Sequence, residues 1–212
     1  MKLNKEDLNE LDHRIKINMV NSITGIKPAN LIATKSNVGQ SNVAIFSSVV
    51  HLGSNPGLIG FVMRPVGEVP RHTYENIKEN GYYTINHIPT SILDKAHYTS
   101  AKLDRAISEF EKCGLTEEYI DGFHAPFVKE CSTKIGLQLV DEIPIKLNDT
   151  IMLIGEIMSI IVPDLAVDEK GDIDLALFNT AGISGLNSYY SLQKVASFPY
   201  ARPQDIPNFS QK

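Results

Sequence analysis

The chain has 212 residues, of which 42% are hydrophobic and 21% charged, enough to bury a core and unlike a disordered segment. A formal net charge of -5 argues against nucleic acid or an anionic membrane as a partner. The two cysteines, Cys113 and Cys131, are too few for a disulfide framework and wrongly spaced for zinc, so they read as free thiols of a reducing compartment.

Residues 1–12 are polar and mixed in charge, without the apolar centre of a signal peptide. RIKINMV (14–20) reads as a strand. After Gly25 and Pro28, NLIATKS (30–36) is a second strand, ending in a turn at Asn37-Val38-Gly39. SNVAIFSSVVHLGS (41–54) is apolar, small and β-branched, and GLIGFVMRP (57–65) is a strand closed by proline. RHTYENIKENG (71–81) predicts a short helix with Thr73 as N-cap, Glu75 in its first turn and Gly81 as the residue that ends it. GYYTINHI (81–88) returns to strand. SILDKAHYTSAKLDRAISEFEKCGL (91–115) has apolar residues at helical spacing, with Ser100 or Asp104 opening its second helix and Gly114 stopping it.

GFHAPFVKE (122–130) is turn and loop. KIGLQLVDEIPIKL (134–147) and DTIMLIGEIMSIIV (149–162) predict a long antiparallel hairpin turning at Asn148-Asp149, and DEKGD (168–172) marks a further turn. The apolar stretch 151–162 is too short to span a bilayer and carries Glu156, so the chain reads as soluble and cytoplasmic. Glu156 is either a paired, embedded carboxylate or a barrel-rim residue.

Six or seven turn-separated strands with small inserted helices favour a barrel or sandwich over a doubly wound sheet. No GxGxxG follows a strand and no GxxxxGK[ST] occurs, so a nucleotide-like ligand would not sit in a Rossmann or P-loop crevice. The six histidines show no HxxxH or HExxH spacing, which speaks against a metal site.

Two stretches carry chemistry. At the start of the 71–81 helix, Arg71, His72 and the Thr73 hydroxyl join free backbone N–H groups at the positive end of the helix dipole, the ingredients of a phosphate site. Arg64 ends the preceding strand and reaches the same place or its rim. The same pattern also describes an ordinary capped helix with two solvated cations. In 41–50, Asn42, Ala44, Ser47 and Ser48 interrupt an apolar strand with small or polar residues, which either let a flat ligand approach the backbone or simply form a wetted face.

Taken together, SNVGQSNVAIFSSV (36–49), GLIGFVMRP (57–65), RHTYENIKENGYYTIN (71–86), FEKCGL (110–115), APFVKEC (125–131) and IGEI (154–157) resemble, in order, the flavin reductase-like, FMN-binding split-barrel family. That family includes flavoredoxin and the flavin reductase partners of two-component monooxygenases. The block 71–86 is the most specific part, and the likeness covers roughly residues 14–162, leaving 163–212 as a C-terminal extension of one domain.

The resemblance implies a mainly β fold with inserted helices, a six-stranded Greek-key split β-barrel that forms a homodimer with FMN near the interface. It implies that Arg71 and Thr73 hold the phosphate, with Arg64 as a further phosphate or rim contact and His72 at the variable middle position. Asn42, Val43, Ala44, Ser47 and Ser48 would line the ribityl chain and the isoalloxazine edge. In the Tyr-rich tail, Tyr189, Tyr190 and Lys194 are candidates either to approach the flavin or to pack at the interface. The implied activity is hydride transfer from NADH or NADPH to flavin, with a monooxygenase or other redox protein as partner. The alternative is a flavoredoxin-like electron carrier without its own nicotinamide turnover. No residue of the chain is assigned a catalytic nucleophile or acid–base role, because the flavin itself carries the redox chemistry.

Overall fold

Two helices, α1 (Lys5–Glu10) and α2 (His13–Ile23), precede the first strand in the computed structural model, which describes residues 1–67 and 70–209. The segment read as a strand at 14–20 is therefore helical. Asp12 caps it, its carboxylate accepting from Arg14 N–H at 3.0 Å and Ile15 N–H at 3.3 Å. Ile15, Met19 and Ile23 recur at helical rather than alternating spacing, so the cap and the four-residue period outweigh the β-branched content.

The strands are β1 (Lys27–Pro28), β2 (Asn30–Lys35), β3 (Ser41–Phe46), β4 (Val50–Ser54) and β5 (Gly57–Met63). Helix α3 (His72–Asn80) leads into β6 (Tyr82–His87), followed by α4 (Leu93–Tyr98) and α5 (Glu109–Cys113). The short strands β7 (Glu117–Glu118) and β8 (Phe127–Val128) pair with each other, and β9 (Lys134–Ile145) and β10 (Thr150–Ile161) form the long hairpin read from the sequence. Finally β11 (Ala181–Ser184) and β12 (Ser188–Ser191) form a hairpin onto which β1 pairs.

The main sheet runs β3-β2-β6-β9-β10-β5-β4, antiparallel at every pairing. It has seven strands rather than six because 41–54 does not stay one strand: it breaks at Ser47–Val49, leaving β3 and β4 as the two edges of a split barrel. The connection between those edges lines the site described below.

Strand β2 is buried on both faces. Its Ile32 packs with Phe61, Met63, Ile77, Tyr83, Ile85, Leu137 and Leu153 in one core cluster. Its Leu31 and Ala33 pack on the other side with Val43, Ile88, Phe110, Ala181 and Ile183. The second cluster ties α4, α5 and the C-terminal hairpin to the barrel, so residues beyond 162 belong to the packed fold. Gly155, at a register shift between β9 and β10, has no side chain because a Cβ there would overlap the Tyr83 hydroxyl. That hydroxyl is buried without a hydrogen-bond partner, and burial pushes its pKa up.

Helix α5 starts at Glu109, later than Ser100 or Asp104. Thr99 and Ser100 instead bond carbonyls of the last turn of α4, Thr99 Oγ1 to Ala96 O and Ser100 Oγ to His97 O, both at 2.7 Å. Asp104 accepts from Ala106 N–H at 3.1 Å. Side-chain-to-backbone bonds of this kind stabilise turns at the expense of helix. Gly114 ends α5 with φ 67°, as its position predicts. Among the described residues no helix is long and apolar enough to cross a membrane.

Candidate functional site

Where β3 ends and α3 begins, a cleft of about 480 Å³ opens between β3, β5, α3 and the connection from α4 to α5. Asn42, Ala44, Ser47 and Ser48 line it from β3 and the segment that follows. Arg64, Arg71, His72 and Thr73 line it from the end of β5 and the start of α3. The two sequence stretches singled out above thus form two walls of one site, although nearly thirty residues separate Asn42 from Arg71.

The α3 corner is built from a helix start without a side-chain cap. The N-cap position is held by Arg71, not Thr73, and no side chain closes it. The N–H groups of the first turn therefore stay available at the positive end of the helix. Arg71 is positioned by its own Nε, which donates to Pro65 O at 3.3 Å. Thr73 sits inside the first turn, buried, with its Oγ1 3.0 Å from the Asn42 side-chain amide. Gly81 closes the helix at φ 84°, a left-handed position suited to glycine.

The floor is formed by a seam in the barrel. Ser48 Oγ donates to Val62 O at 3.1 Å and accepts from Val62 N–H at 3.0 Å, which fixes the 47–49 segment against β5. Small side chains at Ala44, Ser47 and Ser48 leave the cleft shallow enough for a flat ligand. Phe46 lines the same cleft and packs edge-on against Phe61 at 5.2 Å between ring centroids.

Three of the sequence candidates lie elsewhere. Val43 is fully buried in the core cluster with Leu31 and Ala33, because alternation along β3 turns it away from the face shared by Asn42 and Ala44. Tyr190 is on β12, opposite Gly182, and Lys194 pairs with Asp174 at 3.8 Å; neither lines the cleft within one chain. Glu156 is a half-buried strand residue opposite Gln138 and Leu58, away from the site.

Other residues of the cleft carry no short motif. Thr99, Ser100, Ala101, Lys102 and Leu103 border its mouth because the 99–108 segment is a turn rather than the predicted helix. Asn21 from α2 and Leu186 from the β11–β12 turn complete the rim. Glu109 opens α5, is 5% exposed, and lines the same cleft as Arg64, Arg71 and Lys102. Burial raises its pKa, opposed by hydrogen bonds from its own N–H and that of Val43.

The remaining titratable groups do not suggest other chemistry. Burial pushes the Cys131 thiol up to about 12, far from a reactive thiolate, and Cys113 is also raised. Among the described residues no cluster of His, Cys, Asp and Glu has the arrangement of a metal site.

A split barrel with a cationic, helix-capped cleft at its seam defines a class of ligand-binding barrel. The chain belongs to the family of the flavin reductase like domain, whose model matches residues 26–181. The fold is similar, at 48% identity and a TM-score of 0.91, to a candidate flavin reductase with a split barrel domain from Shewanella frigidimarina NCIMB 400, over 95% of this chain and all of that one. Nitrilotriacetate monooxygenase component B from Bacillus cereus is similar at 21% identity and a TM-score of 0.80, over 93% of this chain and 98% of that one. Flavoredoxin of Desulfovibrio vulgaris (Miyazaki F) is similar at 22% identity and a TM-score of 0.71, over 83% of this chain and 92% of that one. At those lower identities the likeness is one of fold.

Proposed function

We propose that the protein is an NAD(P)H-dependent flavin reductase that holds FMN in the cleft between β3, β5 and α3. The observation that carries this reading is the convergence of Arg71, His72 and Thr73 at an uncapped helix start with the small-residue wall of Ala44, Ser47 and Ser48. The first group suits a phosphate dianion and the second a planar ring. The donor set fits FMN: free first-turn N–H groups, a guanidinium anchored to Pro65 O, and Arg64 and Lys102 at the rim.

FMN, when bound, supplies the ring that accepts hydride from NADH or NADPH. The chain's own part is binding, orientation and access. Arg71 and the first turn of α3 hold the phosphate. Ser48 keeps the seam in register, so that Ala44 and Ser47 present a low wall to the ring. The 99–103 turn and Leu186 bound the mouth through which a nicotinamide must enter.

A homodimer belongs to the same proposal. Helix α2 has no buried residue and presents Ile15, Val20 and Ile23 to solvent, while the tail presents Val195, Phe198 and Tyr200. Apolar surface of this extent is stabilised by covering it, and a second copy supplies the matching surface. The likeness to a monooxygenase component B supports a redox partner protein, a monooxygenase among them, as the acceptor of electrons.

The test is spectroscopic. Purified protein, supplied with FMN, should show the visible flavin bands at one FMN per chain and lose them on anaerobic addition of NADH or NADPH. A protein that takes up no FMN overturns the reading. One that binds FMN but is reduced only by a protein donor supports the flavoredoxin-like alternative instead.

A further inference from the structure

Glu109 is the buried charge that the proposed function leaves without a task. It lies on the cleft wall, and its Oε2 is 3.2 Å from an amide atom of Asn42 whose other amide atom is 3.0 Å from Thr73 Oγ1. The three side chains form a short relay from the first turn of α5, across β3, to the first turn of α3. An amide has an oxygen that only accepts and a nitrogen that only donates, so the relay has two self-consistent states.

With Glu109 ionised, the Asn42 NH2 group must face it. The Asn42 oxygen then faces Thr73 and accepts the Thr73 hydroxyl proton at 3.0 Å, with the Val43 N–H at 3.2 Å as a second donor to it. In that state Thr73 has only lone pairs left to show to the cleft. With Glu109 protonated, its O–H donates to the Asn42 oxygen and the Asn42 NH2 donates to Thr73 Oγ1 at 3.0 Å. The Thr73 proton is released, free to be donated into the corner, while the Val43 N–H has the Glu109 carboxyl as its acceptor.

We infer that Glu109 is a positioning residue of this corner: its proton, relayed through the Asn42 amide, decides whether the Thr73 hydroxyl donates to Asn42 or to a phosphate. The inference rests on the phosphate reading of the cleft given above. A bound dianion acts in the same direction twice, by calling for the Thr73 proton and by disfavouring a second negative charge nearby. Binding of a phosphomonoester therefore takes up a proton at Glu109.

The charged groups around Glu109 do not cancel this. The end of β5 and the start of α3 bring Arg64, Arg71 and His72 to the same cleft, and from the 99–108 segment come Lys102, which is exposed, and Arg105, which is engaged with Glu75 and with Asn76 Oδ1 at 3.3 Å. Cys113, on its own helix, feels the Glu109 charge, and the Glu117 carboxylate accepts a bond from Ser41 Oγ at 2.5 Å. Burial raises the Glu109 pKa, which brings its proton within reach of ligand binding.

The experiment is an FMN titration of the full-length wild type and Glu109→Gln, by flavin fluorescence, between about pH 5.5 and about pH 8.5, with riboflavin in parallel. Gln keeps an acceptor for the Val43 N–H and always donates to Asn42, so it fixes the proton-bearing state. The ratio of the wild-type Kd to the variant Kd cancels the titration of the FMN phosphate, which both proteins share. It should rise with pH, by about tenfold or more from the acid end to the alkaline end. Riboflavin should show no such rise.

A ratio that stays level across the range, while both proteins prefer FMN to riboflavin, overturns the role of Glu109 and leaves the phosphate site standing. Loss of any preference for FMN over riboflavin in the wild type overturns the phosphate reading itself. If Glu109→Gln does not fold, calorimetry of FMN binding to the wild type at about pH 7.5 in buffers of different ionisation enthalpy decides the matter. Net proton uptake is expected, and no uptake overturns the inference.

Discussion

The Ser48 side chain stands opposite Val62 in the register set by Val50 with Gly60 and His51 with Ile59, yet its hydroxyl, not its backbone, makes the two bonds of the pair. A single oxygen donates to Val62 O at 3.1 Å and accepts from Val62 N–H at 3.0 Å. This is how a strand ends without orphaning its neighbour: β4 stops at Val50, and the side chain carries the ladder one step further into the cleft. Ser48→Ala removes both bonds and leaves two backbone groups of β5 dependent on water. A loss of about 1–2 kcal/mol is expected by urea denaturation. FMN affinity should fall as well, because the wall formed by Ala44 and Ser47 loses its anchor. A variant of unchanged stability would show that water replaces the hydroxyl at no cost.

The phosphate assignment is tested at Arg71. Its guanidinium is tethered to Pro65 O, so it is preorganised and little ordering is needed on binding. Arg71→Ala should weaken FMN by about 1.5–3 kcal/mol, the usual worth of a charge-assisted hydrogen bond. Riboflavin, which lacks the phosphate, should bind the wild type and the variant alike. Equal losses for both ligands would place Arg71 against the ring or the ribityl chain instead.

Much of this was legible in the sequence. The long hairpin, the β2 and β6 strands and the αL stop at Gly81 follow from alternation and turn chemistry, and the family pattern brought both walls of the cleft to notice. What was not legible is instructive. Val43 was drawn into the site by adjacency to Asn42 and Ala44, although alternation along a strand sends it to the opposite face. Ser47–Ser48 read as strand because only the fold shows that a hydroxyl replaces the ladder there. Glu109 and Lys102 lie in a segment whose helical spacing suggested an amphipathic helix. Thr99, Ser100 and Asp104 divert that segment into turns, which brings Lys102 to the cleft mouth and makes Glu109 the first residue of α5.

His87 makes the fold sensitive to acid. It lies on β6 opposite Asn30, its Nδ1 is buried without a partner, and desolvation lowers its pKa to about 4. The unfolded chain restores a value near the ordinary histidine range, about 6.5. Between those two values the unfolded state binds more protons than the folded one, so stability falls as pH falls and is fully present above about 6.5. The gap corresponds to a loss on the order of 3 kcal/mol by about pH 4. His87→Gln, which does not titrate, should show a shallower decline of the denaturation midpoint over this window. Parallel curves would assign the acid sensitivity to other groups.

The proposed dimer makes a prediction about the tail. Phe198 and Tyr200 are each 87% exposed in one chain, on a segment without regular structure that follows β12. Two aromatic side chains left in water are costly where burial is available, and aromatic anchors commonly dominate the stability of an interface. The full chain should sediment as a dimer. Phe198→Asp combined with Tyr200→Asp should raise its dissociation constant by about tenfold or more, since truncating even one anchor commonly costs over 1 kcal/mol. The far-ultraviolet spectrum should stay the same, because neither residue belongs to a core cluster. A double variant that remains dimeric at the same concentrations would place the interface elsewhere, with the exposed face of α2 as the next surface to alter.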